Sequence, residues 1–259
     1  ESIGPDAFKN NQISTLVIPD SVTSVGPNAF SNNAISTLTL GDNVESIGFD
    51  AFRGNQITIL EIPNSVTSIG PAAFSNNAIN TLTLGNSVTS IGWDAFKGNQ
   101  ITILEIPNSV TNIGTAAFRY NAISTLNLGN SVTSIGSWAF ADNLLSNVTI
   151  PDSVTGIGTA AFADNVISTL NLGNSVTTID NSAFIGNQII SLTIPNSVTS
   201  IGTAAFADNA ISTLTLGNSV TTIHDWAFND NEIISLTIPN SVTSIGTAAF
   251  RNNTISTLN

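Results

Sequence analysis

A phenylalanine recurs every 22 residues along this chain of 259 residues, and an asparagine follows three residues after each one. The phenylalanines are Phe8, Phe30, Phe52, Phe74, Phe96, Phe118, Phe140, Phe162, Phe184, Phe206, Phe228 and Phe250. A fixed period of this length means that each repeat is one small structural unit, which buries its apolar face only against its neighbours. The chain therefore obtains its core by repetition, as a stacked solenoid.

The polarity pattern within one repeat predicts the path of the chain. Segments such as TLTL (81–84) alternate polar and apolar residues, which is typical of a short strand with leucine facing inward. SVTSIG places Val and Ile inward across a second extended stretch, and TAAFADN (203–209) is compatible with a helical or 3₁₀ turn that buries its phenylalanine. Leu-x-Leu and a regular asparagine at this period are typical of a leucine-rich-repeat solenoid.

We therefore predict a right-handed leucine-rich-repeat solenoid of about twelve coils, forming one domain over residues 1–259. It carries a parallel β-sheet on one face and short extended, 3₁₀ or helical turns opposite. The chain begins in mid-coil without a leader, so we also expect it to be a fragment of a longer protein. Neither end shows a polar cap, which predicts end-to-end self-stacking through open coils.

A second period of 44 residues lies on the first. The turn after the predicted strand begins with proline in every other coil, namely at Pro19, Pro63, Pro107, Pro151, Pro195 and Pro239. The intervening coils carry glycine there, at Gly41, Gly85, Gly129, Gly173 and Gly217. We call these proline coils and glycine coils. The unit of duplication is thus a pair of coils.

The composition limits the classes of partner. Charged residues make up only 8% of the chain, and 17 acidic residues against 5 basic ones give a net charge of −12. Such an acidic chain has no electrostatic reason to approach nucleic acid or anionic lipid. No stretch is apolar enough to insert into a membrane, and the absence of cysteine removes disulfides and thiolate chemistry.

IPNSVTSIGTAAF (194–206) resembles the BspA-type leucine-rich repeat of bacterial surface proteins, whose pattern runs roughly Ile-Pro-x-x-Val-x-x-Ile-Gly-x-x-Ala-Phe. The pattern recurs at 62–74, 106–118, 150–162, 194–206 and 238–250, and the glycine coils keep all of it except the proline. The resemblance implies a secreted or surface-anchored bacterial protein that binds other proteins or glycans, often as an adhesin. It implies no catalytic residue and no cofactor.

The regular asparagines are predicted to be structural. An asparagine at this place in a solenoid points inward and binds backbone groups that no strand satisfies, because buried polar groups are almost always paired. The predicted ladder consists of Asn11, Asn33, Asn55, Asn77, Asn99, Asn121, Asn143, Asn165, Asn187, Asn209, Asn231 and Asn253.

Two groups of residues are candidates for binding a partner. Large aromatic residues occur two or three positions before the core phenylalanine, only in glycine coils: Phe49, Trp93, Trp138 and Trp226. They are interpreted either as anchors that stack on sugars or proteins, or as packing over the small residue of the neighbouring coil. The second group occupies outward strand positions, at Glu61, Thr83, Glu105, Asn127, Asn171, Thr193 and Thr215.

The outward strand positions also allow another interpretation. Thr-x-Thr recurs at Thr37–Thr39, Thr81–Thr83 and Thr213–Thr215, as in the flat threonine arrays of ice-binding solenoids. Ile59, Glu61, Ile103 and Glu105 interrupt that array, and threonine is simply a good exposed strand residue. Ice binding therefore stays a minor alternative.

Catalytic and metal sites are not predicted. His224 is the only histidine, and although it forms a candidate pair with its neighbour Asp225, the repeat pattern offers no nucleophile for such a base to activate. Asp20, Asp42 and Asp152 lie in turns where most coils carry asparagine, and they form no calcium loop. We conclude that the chain is no enzyme and predict a recognition module for an unidentified protein or glycan. The alternative is a passive spacer at the cell surface.

Overall fold

The computed structural model describes residues 1–259, which form two compact units, Glu1–Ser131 and Val132–Asn259. Each unit is a parallel β-solenoid whose strands repeat every 22 residues, and neither contains a helix. The predicted repeat solenoid is confirmed. Its right-handedness and its description as one domain stay predictions.

The first strand of each coil, here called the leucine strand, runs with a leucine (valine once) pointing inward between polar or exposed neighbours. In the first unit these strands are β2 (Thr15–Val17), β4 (Thr37–Thr39), β6 (Ile59–Glu61), β8 (Thr81–Thr83), β10 (Ile103–Glu105) and β12 (Thr125–Asn127). In the second they are β14 (Asn147–Thr149), β16 (Thr169–Asn171), β18 (Ser191–Thr193), β20 (Thr213–Thr215), β22 (Ser235–Leu236) and β24 (Thr257–Leu258).

The second strand of each coil, the isoleucine strand, is the SVTSIG stretch and ends in an inward isoleucine or valine. The first unit contains β1 (Ser2–Ile3), β3 (Ser24–Val25), β5 (Ser46–Ile47), β7 (Ser68–Ile69), β9 (Ser90–Ile91) and β11 (Asn112–Ile113). The second contains β13 (Ser134–Ile135), β15 (Gly156–Ile157), β17 (Thr178–Ile179), β19 (Ser200–Ile201), β21 (Thr222–Ile223) and β23 (Ser244–Ile245). Within each unit they pair in chain order, so the solenoid has a second parallel sheet besides the predicted one.

The core of each unit contains a continuous stack of phenylalanine rings. Successive rings lie with centroids 5.1–5.5 Å apart, from Phe8 to Phe118 in the first unit and from Phe140 to Phe250 in the second. The ring planes are almost parallel at these separations, which gives the offset stacking that aromatic pairs favour. The interior rings are fully buried, whereas Phe8 in the first coil is 44% exposed.

In most repeats the asparagine after the phenylalanine binds the backbone of two coils. Asn99 accepts a hydrogen bond from the Ile79 amide (3.0 Å) and donates to the Phe74 and Phe96 carbonyls (3.0 and 2.9 Å). Asn55, Asn77 and Asn165 repeat this set of contacts. One side chain therefore satisfies three backbone groups at a bend where no strand provides partners.

The turn that carries the phenylalanine is not helical, which corrects the predicted 3₁₀ or helical turn. Ala116 and Tyr120 have left-handed backbone conformations, with φ of 52° and 57°. In the preceding coil, the amides of Asp94, Phe96 and Gly98 donate to the carbonyls of Thr115, Ala117 and Arg119 at 2.8–3.0 Å. Alternate amides thus bind the next coil along the stack, whereas a helix would use them within its own coil.

Candidate ligand-binding surfaces

The spacing of neighbouring coils alternates, because a proline coil packs more tightly against the glycine coil after it than against the one before it. A β-carbon on Gly173 would lie 2.5 Å from the Pro151 carbonyl oxygen, and the other glycines of this turn lie equally close to the preceding proline. The amide before each proline also binds the following coil, as from Ile62 to the Thr83 carbonyl at 2.9 Å. A proline coil and the glycine coil after it therefore form a tight pair, and only glycine fits at the contact.

The leucine strands follow this pairing. In the first unit β2 pairs with β4, β6 with β8 and β10 with β12, each over three residues, and no ladder joins one pair to the next. In the second unit the ladder between β16 and β18 shrinks to the single pair Thr169–Ser191, and that between β20 and β22 to Thr213–Ser235. The sheet is therefore loosened wherever a glycine coil meets the next proline coil.

Grooves open at these loosened places. One groove of about 730 Å³ lies at the junction of β4 and β6 and extends to β8, and another of about 640 Å³ lies at the junction of β8 and β10 and extends to β12. The second unit has a groove of about 500 Å³ between β16 and β18. The same junction thus forms a groove in both units.

Several of the predicted strand residues line these grooves. Glu61 and Thr83 line the first groove, and Thr83, Glu105 and Asn127 line the second. In the second unit Asn171 and Thr193 line the groove together. Thr215 lies on β20, outside these three grooves.

Aliphatic side chains stand beside the carboxylates in the first unit. Ile59 is 65% exposed and Ile103 is 59% exposed, and each lies two residues before a glutamate on the same face of its strand. Neither Glu61 nor Glu105 takes part in an ion pair. The face therefore offers uncovered apolar surface next to free negative charge.

Most of the exposed aliphatic residues lie in proline coils, a regularity that the sequence interpretation did not use. Besides Ile59 and Ile103, they include Val17, Leu144, Ile190 and Ile234, whereas Val166 and Leu258 are exposed in glycine coils. They occupy different positions within the coil, so a comparison of equivalent positions in successive repeats does not reveal them. The Thr-x-Thr pairs of β4 and β8 are separated by β6, which leaves ice binding without a continuous threonine array.

The four aromatic candidates lie in turns and not in the leucine strands, and they occupy two different positions. The rings of Phe49 and Trp93 lie 5.8 Å apart, although their residues are two coils apart, with Pro71 at the same position of the coil between them. Trp138 and Trp226 come one residue later in the turn and have left-handed backbones. The structure therefore brings Phe49 and Trp93 together and leaves Trp138 and Trp226 as separate sites.

Four of the five cations lie in turns of the first unit and Arg251 lies in a turn of the second, all away from the leucine strands in sequence. Lys9, Arg53 and Lys97 form ion pairs with Asp6, Asp50 and Asp94 at 3.1–3.3 Å. The Arg119 guanidinium stacks over the Tyr120 ring at 4.4 Å. None of these cations neutralises Glu61 or Glu105.

The acidic side chains and the histidine are dispersed over the chain. No three His, Asp or Glu side chains come together in a way that would hold a metal ion. The Asp225 carboxylate accepts a hydrogen bond from the Thr247 amide at 2.6 Å and so is committed to its turn. No helix of the length and apolarity needed to cross a membrane is present.

Comparisons with known proteins agree with this architecture. The model of the BspA type leucine rich repeat region matches residues 1–124, 118–233 and 177–259, with six copies. A leucine-rich repeat protein from Bacteroides ovatus is similar in structure over 100% of this chain and 76% of its own, with a TM-score of 0.73 and 22% identity. Comparison with curated proteins gives no match.

Two further solved structures are similar in fold. The pneumococcal vaccine antigen PcpA matches 99% of this chain and 84% of its own, with a TM-score of 0.57 and 19% identity. A leucine-rich repeat protein from Eubacterium ventriosum matches 98% of this chain and 81% of its own, with a TM-score of 0.55 and 21% identity. These likenesses concern the fold.

Proposed function

Because the chain belongs to the BspA-type leucine-rich-repeat family, we propose that it is a non-enzymatic recognition module of the bacterial surface. Its leucine-strand face binds an extended polypeptide segment that carries basic and apolar side chains. The observation that carries this proposal is a groove lined by an exposed isoleucine and an unpaired glutamate at β6, repeated 44 residues later at β10.

The spacing of these features suits an extended ligand. Strands in a sheet lie about 4.8 Å apart, so Ile59 and Ile103, two coils apart, stand about 10 Å apart along the stack. A polypeptide in the extended polyproline II conformation advances about 3.1 Å per residue with three residues per turn, so side chains three residues apart lie on one face about 9 Å apart. A segment that lies along the stack can therefore place equivalent side chains in both grooves.

The charge of the face favours a basic polypeptide over an acidic glycan. Glu61 and Glu105 are unpaired, Asp42 lines the groove between β4 and β6, and the chain as a whole has a net charge of −12. An acidic surface attracts and orients a basic ligand, and it repels a sulfated or carboxylated sugar chain. Exposed isoleucines next to these charges add apolar contact area.

The repeats themselves provide the matched variant that tests this proposal. Replacing Ile59, Glu61, Ile103 and Glu105 by threonine converts both strands to the TLT sequence already present in β4 and β8. The variant therefore keeps a strand sequence that folds in this solenoid. A Glu45→Thr variant changes an exposed carboxylate outside the leucine strands and serves as the control.

Wild type and both variants are applied to an array of extracellular-matrix proteins and glycans. We expect saturable binding of wild type and of Glu45→Thr to basic proteins, and a loss of at least tenfold in affinity with the four threonines. Equal binding by the four-threonine variant would overturn the proposed site. Absence of saturable binding by folded wild type would instead favour the passive spacer.

A further inference from the structure

We propose that Trp138 and Trp226 are stacking sites for the pyranose rings of a neutral oligosaccharide. Both residues belong to the unit Val132–Asn259, in the turns before the core phenylalanines, and neither is part of a leucine strand. This proposal is independent of the strand-face proposal, because it concerns other residues and another class of ligand.

The backbone conformation of the two tryptophans is the first observation. Both have φ of 55°, in the left-handed region, where a bulky side chain is a genuine outlier. The conformation costs a residue other than glycine about 1–2 kcal/mol. At the equivalent position the other coils carry aspartate, asparagine, alanine or serine. The solenoid therefore requires the conformation but does not require tryptophan, which points to a role outside the fold.

The turn fixes the backbone of each tryptophan. The Trp138 amide donates to the Thr159 carbonyl at 2.8 Å, and the Trp138 carbonyl accepts from the Ala141 amide at 3.2 Å. Trp226 makes the equivalent bonds to the Thr247 carbonyl (2.9 Å) and the Asn229 amide (3.0 Å). A ligand that stacks on these rings meets a preorganised backbone, which lowers the entropy cost of binding.

The indoles have unused binding capacity. Trp138 is 40% exposed and Trp226 is 44% exposed, and neither ring stacks on another aromatic ring. No side-chain hydrogen bond involves either indole N–H, as the bonds around both turns come from backbone and amide groups. In this they differ from Phe49 and Trp93, whose rings contact each other. Each turn thus presents a free aromatic face and a free donor.

The surroundings of the rings indicate the class of ligand. The negative face of an indole attracts weakly positive C–H groups, and its N–H donates to an oxygen. A pyranose ring offers both, on its C–H face and in its hydroxyl or acetamido groups. The residues beside Trp138 in sequence are Ser137 and Ala139, and Asp225 beside Trp226 is committed to the Thr247 amide. Ser137 and Ala139 carry no charge, so no flanking carboxylate adds to the attraction of the Trp138 ring for a cation, and the C–H face of a sugar suits this ring.

The two turns are four coils apart, which corresponds to about 19 Å along the stack at the spacing of paired strands. An oligosaccharide long enough to reach both rings gains from an effective concentration at the second site. A hexasaccharide is therefore expected to bind more tightly than a disaccharide. The gain in affinity should exceed the statistical factor that two independent sites would provide.

The test uses the intrinsic fluorescence of the chain. Trp93→Phe introduces the residue that already occupies the equivalent position at Phe49. It leaves Trp138 and Trp226 as the only tryptophans. This variant is titrated with chitohexaose, cellohexaose and chitobiose, and affinities are repeated by calorimetry. We expect a saturable change in emission, with at least tenfold tighter binding of one hexasaccharide than of chitobiose.

Matched variants separate binding from folding. Trp138→Ala with Trp226→Ala places alanine where Ala160, Ala204 and Ala248 already occupy this turn, so the variant should fold. We expect its affinity for the hexasaccharide by calorimetry to fall at least tenfold, while its circular dichroism is unchanged. The strand-face variant with four threonines should bind the sugar as wild type does. Ala204→Trp, which adds an indole to the turn, should strengthen binding.

Three results would overturn the proposal. The first is no saturable fluorescence change with any of the three sugars. The second is undiminished hexasaccharide binding by the folded double alanine variant. The third is a response to tetramethylammonium that exceeds the response to every sugar, because the rings would then recognise cations.

Discussion

Gly129 packs against Pro107 so closely that a β-carbon on Gly129 would lie 2.5 Å from the Pro107 carbonyl oxygen. Gly129→Ala must therefore push the two coils apart or distort their turn. We expect the variant to lose about 1–3 kcal/mol of unfolding free energy, as overpacked sites do. Urea unfolding followed by circular dichroism measures the loss.

Gly156→Ala is the control for that measurement. A β-carbon there would meet only the Thr178 hydroxyl oxygen, at 3.8 Å. We expect no loss, and a gain of up to about 1 kcal/mol, because alanine restricts the unfolded chain. Equal destabilisation of both variants would show that close approach does not explain the glycine column.

The asparagine ladder makes a second prediction. Asn99→Ala leaves the buried Ile79 amide without a partner and removes one of the two asparagine donors from each of the Phe74 and Phe96 carbonyls, which keep Asn77 and Asn121. The unsatisfied amide costs about 1–3 kcal/mol and each lost hydrogen bond about 0.5–1.5 kcal/mol, so we expect a loss of roughly 2 kcal/mol or more. Asn108→Ala removes an exposed side chain that accepts from the Asn130 amide, and it should cost under about 1 kcal/mol. Similar losses from both variants would contradict the structural role of the ladder.

Burial should decide the cost of removing a phenylalanine from the stack. Phe96 is fully buried between Phe74 and Phe118, so Phe96→Ala should cost about 3–5 kcal/mol. Phe8 is 44% exposed and has a single ring neighbour, Phe30, so Phe8→Ala should cost less than half as much. Thermal unfolding of both variants compares them, and an equal loss would contradict the idea that stacking on both sides sets the stability.

Salt should separate the two proposed binding surfaces. Raising ionic strength from about 0.1 M to 1 M shortens the Debye length from about 10 Å to 3 Å. Binding of a basic protein to the face with Glu61 and Glu105 should weaken by about tenfold or more, because exposed charges are screened. Sugar binding at Trp138 and Trp226 should change little. Surface plasmon resonance at both salt concentrations measures both effects.

The repeat pattern predicted most of the fold because each inward-facing position of the repeat has one physical role. A phenylalanine every 22 residues can stack only on its neighbours, and Leu60 and Ile69 mark the two strands of their coil by alternation. The turn before the phenylalanine was predicted wrongly. Alanine favours helix, yet Ala204 has φ of 53° because its amide binds the Asp225 carbonyl of the next coil. That contact between coils outweighs the local preference of alanine.

The candidate surfaces were predictable only in part. Glu61 and Glu105 follow from outward strand positions, but the grooves beside them depend on how closely Gly85 approaches Pro63, and no residue column shows that distance. The alternation of proline and glycine was visible in the sequence, whereas its effect on strand pairing was not. The separation of Trp138 from the Phe49–Trp93 pair likewise depends on a one-residue shift within the turn.

The tight contact between a proline coil and the following glycine coil also limits how such a gene can grow or shrink. Loss of one glycine coil would bring a second proline against the proline carbonyl, at a place where not even a β-carbon fits. Gain or loss of 44 residues preserves every contact of this kind. Recombination between repeats is therefore expected to leave viable proteins only in even steps, so that natural length variants differ by whole pairs of coils.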